Sequence, residues 1–276
     1  MISLLYAGNA AMFDGLLISA LSTIRHTTEP IHAFWLTMDL RSTNPNYAPL
    51  TEEHRAYIEH IYRRVAPESR VTLLDVGQLY RQALSQSPNN RSAYTPYSML
   101  RLLADRLPQL PDKLLYLDAD IIINGDIAPL FHTELGEHEY AAVLDHYGQW
   151  FMGYHYSNSG VMLLNMVQLR CTRLFSRAVE LCRKRRLFLP DQTALHRLTE
   201  KKLLLPRQYN EQKDYNRSDT VLQHFTKTII WLPFFHTRTI KPWQMALVSQ
   251  KLTHRYDALL EVYTQEKNRF EEGHHG

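Results

Sequence analysis

The sequence has few cysteines, little net charge and no long hydrophobic run, and each absence narrows the range of functions. Its two cysteines, Cys171 and Cys182, lack the spacing of a zinc site, so free thiols in a reducing compartment are expected. A net charge of +3, with its one basic cluster RKRR at 183–186, argues against nucleic-acid binding. No apolar run approaches the roughly 18 residues that a membrane span needs. A soluble globular protein is therefore expected.

The two ends of the sequence bear on location. The N-terminal stretch MISLLYAGNAAMF has no basic region and no small-residue cleavage site, which argues against export and favours the cytoplasm. At the other end, 245–270 has the pattern of an amphipathic helix. This helix could dock on its own domain, pair with a second chain or lie on a membrane surface. The sequence leaves these three possibilities open.

Apolar runs alternate with helical patterns along most of the chain. In the first half, strands are predicted at 2–7, 31–37, 70–76 and 113–117, and helices at 16–24, 52–65 and 97–107. In the second half, strands are predicted within 140–145, 160–166 and 220–226, and helices at about 167–186 and 191–200. This order predicts an α/β fold with a mostly parallel, Rossmann-like sheet flanked by helices. We expect one domain over 1–245 and a helical extension over 246–276.

Two carboxylates follow the fourth predicted strand. In DKLLYLDADIIINGDIAPLF, at 112–131, Asp118 and Asp120 stand one residue apart between two apolar runs. Alternate residues of an extended chain share a face, so the two side chains can point the same way. Two like charges this close are unfavourable unless a cation lies between them, and Mg²⁺ or Mn²⁺ suits such oxygen ligands and commonly bridges to phosphates. The pair therefore predicts a metal and phosphate site.

The segment LLYLDADIIINGDIAPLF resembles the D-x-D segment of glycosyltransferase family 8, whose retaining, nucleotide-sugar-dependent enzymes include bacterial lipopolysaccharide galactosyl- and glucosyltransferases and glycogenin. Further segments match the family in its order between Ser3 and Trp243, namely AGNA, YSMLRLLADRL, YSNSGVMLLN, LPDQTAL and KPW. The resemblance implies a GT-A fold. It also implies transfer of glucose or galactose from a UDP-sugar to a glycan, lipid-linked or protein acceptor, with Mn²⁺ or Mg²⁺. A lipid-linked acceptor would bring the protein to the inner membrane face.

The resemblance assigns one group of residues to the nucleotide sugar. Asn9, in the turn after the first strand, stands where the family holds the base, although the family more often has an acidic turn there. Arg101 falls on the nucleotide's side of the helix before the acid pair, where a phosphate or an aspartate would satisfy its charge. The full set implied to bind the nucleotide sugar is Ala7, Asn9, Arg101, Asp118, Ala119, Asn158, Ser159 and Lys241.

A second group is implied to hold the metal ion. Its members are Asp118, Asp120 and His224, the last at the end of an apolar run. The stretch between His224 and KPW is longer than in the usual family pattern, so His236 is an alternative third ligand. We prefer His224, because it stands directly at a strand end.

Three residues are implied to act on the sugar. Asp145 is placed near the transferred sugar or the acceptor, Asp191 at sugar hydroxyls, and Gln192 beneath the anomeric carbon. Gly160 is expected to permit close approach of the backbone in the sugar pocket. Because no carboxylate nucleophile is evident, we expect attack from the face that the leaving group departs from.

Two other functions remain open from sequence. Phosphohydrolases of the haloacid-dehalogenase type also place D-x-D after an apolar strand, but their motif normally opens the domain, whereas three predicted strands precede it here. The second alternative is a non-catalytic protein that binds a nucleotide sugar. The combination of the acid pair with Asp191 and Lys241 argues against it. The sequence does not indicate an oligomeric state.

Overall fold

The computed structural model describes residues 1–91, 95–230 and 236–273, with the backbone alone at 229, 230 and 236. Its strands are β1 Ile2–Ala7, β2 Ile31–Thr37, β3 Arg70–Asp75, β4 Lys113–Leu117, β5 Ile121–Ile123, β6 Tyr140–Leu144, β7 Ser157–Asn165, β8 Lys202–Leu204, β9 Leu222–His224, β10 Thr228–Ile230 and β11 His236–Arg238. Its α-helices are α1 Phe13–His26, α2 Glu52–Arg63, α3 Gly77–Ala83, α4 Ala128–Phe131, α5 Gly148–Phe151, α6 Met166–Thr172, α7 Leu174–Lys184, α8 Pro190–Leu198, α9 Met245–Lys251 and α10 Asp257–Glu272. Its 3₁₀-helices are Ala10–Met12, Pro88–Arg91, Pro96–Arg106 and Arg207–Tyr209.

The main sheet has the strand order β3-β2-β1-β4-β7-β6-β8. Neighbouring strands are parallel except at β7, which runs antiparallel to both β4 and β6. The carboxyl ends of β1, β4 and β6 and the amino end of β7 therefore lie along one edge. The chain leaves β1 toward β2 and later returns to β4 on the other side of β1, and such a switch point opens a crevice at that edge. The predicted mostly parallel sheet is confirmed, and the second half of the chain completes it.

Each face of the sheet carries its own hydrophobic layer. Side chains alternate along β1, so that Leu4 packs into one layer and Leu5 into the other. Helices α1, α2 and α10 contribute to the first layer, and Pro96–Arg106, α7 and α8 contribute to the second. Because both faces are covered, the strands have nearly continuous apolar sequences, as is typical of parallel sheets.

Two helices predicted as continuous are divided in the structure. The helix predicted at about 167–186 is split into α6 and α7 by Arg173, whose φ of 55° is left-handed and cannot continue a helix. Asn165 caps α6, accepting a hydrogen bond from Gln168 N at 3.2 Å. The amphipathic segment 245–270 likewise forms two helices, α9 and α10. The pattern therefore located these helical regions correctly but not their breaks.

The last helix, α10, docks on the rest of the chain. Buried Glu266 accepts hydrogen bonds from both terminal nitrogens of Arg64, at 2.9 and 2.8 Å, and from the Tyr57 hydroxyl at 2.9 Å. Lys267 forms an ion pair of 2.9 Å with Asp14 of α1. Of the three possibilities left open by the sequence, docking on its own domain is the one seen. Among the described residues, no helix combines the length and apolar character needed to span a membrane.

Candidate active site

The structure explains why an apolar triplet follows the two acids. Ile121–Ile123 forms β5, which pairs antiparallel with β9 so that Ile121 lies opposite His224. The backbone contact continues one residue further, since Phe225 N donates to Asp120 O at 3.0 Å. The triplet therefore anchors a second strand, and that strand brings a histidine beside the acid pair.

The first acid, Asp118, is held by two donors. Arg101 Nη2 and the Tyr116 hydroxyl each donate to its Oδ1 at 2.7 Å, and the guanidinium lies 4.1 Å from the centre of the Tyr116 ring. The other oxygen, Oδ2, is 3.7 Å from His224 Nε2. Burial alone would lower the pKa of Arg101, but Asp118, followed by Tyr116 and Asp191, raises it. Arg101 therefore stays charged and fixes the orientation of Asp118.

The second acid, Asp120, lies between two nitrogen-bearing side chains. Its Oδ1 is 3.2 Å from His224 Nε2, and its Oδ2 is paired with Lys241 Nζ. Burial alone would raise the pKa of Asp120, but the charge of Lys241 holds it below its ordinary value. Burial alone would likewise lower the pKa of Lys241, which Asp120 raises. Asp120 is thus an anion balanced by one lysine.

Two glycines give the surroundings of the acid pair their close packing. A Cβ on Gly160 would lie 2.1 Å from His224 Cε1 and 2.8 Å from Asp118 Oδ2. A Cβ on Gly15 of α1 would lie 2.2 Å from the carbonyl oxygen of Ala119. Close approach at Gly160 was expected from sequence, but the groups it admits are a carboxylate and an imidazole. A larger residue at Gly160 would displace the side chain of His224 or Asp118, and one at Gly15 would displace the turn that carries the acids.

Asp118, Asp120 and His224 offer ligand atoms that all lie within 4.8 Å of one another. His224 Nδ1 is 3.1 Å from Asn210 Oδ1, so the other ring nitrogen, Nε2, is the one that faces the two acids. Two carboxylates this close to one another are unfavourable unless a cation is present. Two carboxylates and an imidazole are ligands that Mn²⁺ accepts. The donor set therefore fits a divalent metal ion.

Acids and amides at the ends of β6 and β7 form a second hydrogen-bonded group. Asp145, directly after β6, accepts at Oδ2 from Asn158 Nδ2 and from Gln192 Nε2, both at 3.0 Å. Its Oδ1 accepts from the backbone nitrogens of Tyr147 and Gly148, at 3.1 and 2.6 Å. Both oxygens of this buried carboxylate are therefore occupied, and its surroundings are neutral donors.

Ser159 and Asp191 connect this second group to Arg101. Ser159 Oγ donates to Asp191 Oδ2 at 2.9 Å, and Ser159 N donates to Gln192 Oε1 at 3.1 Å. Arg101 Nε lies 3.3 Å from Asp191 Oδ2, and Arg101 Nη1 donates to the Ser159 carbonyl oxygen. One buried arginine therefore contacts both the acid pair and the group around Gln192.

The remaining residues selected from sequence lie at the carboxyl ends of β1 and β4. Ala7 ends β1, and buried Asn9 follows it, donating through Nδ2 to Asn46 O at 3.1 Å. Ala119 is buried between the two acids. The side chain of His236 lies outside the described part of the structure. Among the described side chains, His224 is the histidine that lies against the acid pair.

Three residues that shape the site were not singled out from sequence. Tyr116 could have been, because it stands two residues before Asp118 in an extended segment and so shares its face. Asn210 lies in a loop fourteen residues before His224, and no spacing rule connects an asparagine there to a strand-end histidine. Gly15 stands in an apolar helical pattern that gives no sign of the carbonyl packed against it.

Sequence comparisons identify relatives of the chain. The family model described as "Glycosyl transferase family 8" matches residues 3–246. The lipopolysaccharide glucosyltransferase WaaO of Escherichia coli K12 is 28% identical over 162 residues, covering 51% of this chain and 47% of that protein. Glycosyltransferase GlyE of Streptococcus pneumoniae is 32% identical over 116 residues, covering 41% of this chain and 28% of that protein. The matches thus span less than half the length of these curated relatives.

Solved structures share the fold. The galactosyltransferase LgtC in complex with donor and acceptor sugar analogues aligns with a TM-score of 0.68 at 17% identity, covering 96% of each chain. The apo form of GlyE aligns with a TM-score of 0.58 at 19% identity, covering 96% of this chain and 63% of that one. At such identities the likeness shows the fold, which confirms the expected GT-A type. With the family model matched from residue 3 to residue 246, the chain belongs to glycosyltransferase family 8.

Proposed function

We propose that the protein transfers a hexose from a UDP-sugar to an acceptor hydroxyl with retention of the anomeric configuration, using a divalent metal ion held by Asp118, Asp120 and His224. The observation that carries this proposal is the convergence of two carboxylates and an imidazole beside Lys241. The cluster stands at the switch point of the sheet, where α/β proteins bind their ligands. Membership of family 8 supports the same reaction class.

The diphosphate end of the site is proposed to stabilise the leaving group. As the bond between C1 and the diphosphate oxygen breaks, negative charge grows on the phosphates. A bound Mn²⁺ or Mg²⁺ supplies Lewis-acid stabilisation of that charge. Lys241, kept charged by Asp120, adds a positive group of the protein where negative charge develops, which favours the transition state over the ground state. Arg101 is buried and already paired, so its proposed part is to hold Asp118.

The sugar end is proposed to lie around Asp145, Asp191 and Gln192. These side chains are fixed before substrate arrives, Gln192 by Ser159 N and Asp145, and Asp191 by Ser159 Oγ. Their oxygens would stabilise the positive charge of an oxocarbenium-like sugar. Both oxygens of Asp145 are occupied, which disfavours it as a covalent nucleophile. The acceptor oxygen then bonds to C1 on the face that the diphosphate leaves, and its proton passes to the departing phosphate oxygen.

The uracil base is proposed to lie against Ala7 and Asn9. Asn9 commits Nδ2 to Asn46 O, and among the described residues nothing donates to its Oδ1. That oxygen could accept the N3–H of a uracil. Ala119, Asn158 and Ser159 are proposed to line the ribose and the sugar between the base and Gln192.

Glucose or galactose is the proposed hexose, and a glycan, glycolipid or protein is the proposed acceptor. Support comes from the relatives: WaaO is a lipopolysaccharide glucosyltransferase, and the lipopolysaccharide 1,2-glucosyltransferase of Escherichia coli K12 is 32% identical over 167 residues. LgtC, of the same fold, is a galactosyltransferase. We further propose a cytoplasmic protein that meets the inner membrane face when its acceptor is lipid-linked.

Thermal unfolding with a panel of nucleoside diphosphates, with and without Mn²⁺, tests the proposal. A ligand present at a hundred times its Kd stabilises the folded state by about 2.7 kcal/mol. We expect UDP to raise the unfolding temperature of the full chain in the presence of Mn²⁺ and to have little effect without it. Equal stabilisation by all nucleotides, or stabilisation that ignores the metal, would contradict the proposal. Phosphate release from a phosphomonoester would instead favour the phosphohydrolase alternative.

A further inference from the structure

A line of four buried polar side chains connects Asp145 to His224. Asn158 Nδ2 donates to Asp145 Oδ2 at 3.0 Å. Asn210 Nδ2 donates to Asn158 Oδ1 at 3.0 Å, and Asn210 Oδ1 is 3.1 Å from His224 Nδ1. We name this line, Asp145–Asn158–Asn210–His224, the amide relay.

The direction of each hydrogen bond in the amide relay is set from its acidic end. An ionised carboxylate only accepts, so Asn158 turns its NH₂ group toward Asp145. Asn158 Oδ1 then points the other way, and it accepts from Gly160 N at 2.9 Å as well as from Asn210. Asn210 in turn presents its oxygen to the imidazole. An oxygen in that place requires a proton on His224 Nδ1.

We propose that Asn210, oriented by Asn158 and Asp145, is a positioning residue that keeps His224 in its Nδ1–H tautomer. The inference rests on the proposed metal site. In this tautomer the Nε2 lone pair faces the point where both acids converge. In the other tautomer Nε2–H would donate to Asp120 Oδ1, 3.2 Å away, and the proton would occupy the position where Nε2 is proposed to bind the metal ion. The amide relay therefore keeps His224 Nε2 unprotonated and available to bind a metal ion.

The amide relay also joins the two ends of the site. Asp145 Oδ2 accepts from Gln192 as well as from Asn158, both at 3.0 Å. The same oxygen thus orients the amide proposed to lie beneath the sugar and, through two asparagines, the imidazole proposed to bind the metal. A substitution of Asp145 is therefore expected to alter the orientation of both the Gln192 amide and the His224 imidazole.

The tautomer is measured directly by ¹⁵N NMR of the histidine rings in the full chain, at a pH where the rings are neutral. The His224 signals are identified by their absence from a His224→Gln variant. We expect the wild-type ring to carry its proton on Nδ1, both without metal and with Mg²⁺. In Asn210→Ala without metal, we expect the population to shift toward Nε2–H. A wild-type neutral ring protonated on Nε2 would overturn the proposal without any appeal to a variant's folding.

Calorimetric titration with Mn²⁺ gives a second readout that does not depend on turnover. Removing the hydrogen-bond partner of a metal-ligating histidine typically costs about 10–100-fold in metal affinity, and we expect about tenfold for Asn210→Ala. Asn158→Ala leaves Asn210 in place but frees its amide to turn over, so we expect a smaller loss of about threefold.

Gln212→Ala is the matched control. Gln212 is a buried side-chain amide two residues from Asn210, and its Nε2 donates to Leu144 O at 3.0 Å and to Asn210 O at 3.3 Å. It is not hydrogen-bonded to His224, so Mn²⁺ affinity is expected to stay at the wild-type value. A loss equal to that of Asn210→Ala would assign the effect to packing and overturn the amide relay.

Failure of the amide relay can be told apart from failure of the proposed function. If the wild-type protein does not bind Mn²⁺, the metal-dependent function fails. If the wild type binds Mn²⁺ and a folded Asn210→Ala variant binds it equally well, the amide relay fails while the proposed function stands. Thermal unfolding of each variant shows whether it is folded.

Discussion

The two ends of the candidate site are built from different chemistry. At the end proposed to hold the diphosphate, each acid is paired with a cation: Asp118 with Arg101, and Asp120 with Lys241. At the end proposed to hold the sugar, Asp145 is surrounded by side-chain amides and backbone N–H groups. A formal charge acts more strongly on charge that develops nearby than a neutral dipole does. We infer that one end stabilises the negative charge of the leaving group, while the other holds oxygens in place beside the positive charge of the sugar.

The largest effect is expected from Asp120→Ala at the charged end. This change removes one proposed metal ligand and leaves Lys241 without its partner, so we expect transfer of sugar from UDP-sugar to fall by about 10³-fold or more. Product formation with radiolabelled donor measures it. Asp112→Ala is the control, because Asp112 is an exposed aspartate directly before the other end of β4. Transfer near the wild-type rate in Asp120→Ala would refute the proposed function.

A smaller effect is expected from Lys241→Met, which keeps most of the side-chain volume and removes the charge. Because Lys241 is proposed to act on the departing diphosphate, kcat should fall by about 10²-fold. Steady-state kinetics measures this change, and exposed Lys251→Met serves as the control. A change in KM for the donor with kcat unaltered would assign Lys241 to ground-state binding instead.

The smallest of the three effects is expected at the proposed sugar end, from Gln192→Ala. Loss of one oriented amide should reduce kcat by about tenfold, with KM for the donor altered less than about twofold. Gln149→Ala is the control, since the side-chain amide of Gln149 donates to His146 O at 3.3 Å and not to the Asp145 carboxylate. A loss from Gln192→Ala as large as that from Asp120→Ala would remove the contrast between the two ends.

Much of the fold followed from the sequence because the strands are buried on both faces. The runs that became β1, β2 and β4 are apolar, short and separated by helical patterns, so their order already indicated a parallel sheet. The structure also brings together the acid pair, which its pattern indicated, and His224, which the family resemblance indicated. Local pattern was sufficient for the strands and for the acid pair, but not for His224.

Other features depend on partners distant in sequence. The pairing of β5 with β9 joins segments about a hundred residues apart, and three-residue strands carry little pattern of their own. The position of Asn210 depends on Asn158 and His224 meeting in space, which no local spacing encodes. Likewise, Arg173 adopts a left-handed conformation that an arginine rarely takes, so the break between α6 and α7 had no sequence signal.

The docking of α10 has a consequence for how the chain can be shortened. Lys267 forms an ion pair with Asp14 of α1. Gly15, which follows Asp14, packs against the carbonyl oxygen of Ala119, the residue between the two acids. Helix α10 thus supports, through α1, the loop that carries Asp118 and Asp120. A truncation that removes Lys267 and the residues after it should loosen the loop without unfolding the main sheet. We therefore expect such a truncated protein to remain folded but to bind a divalent cation more weakly.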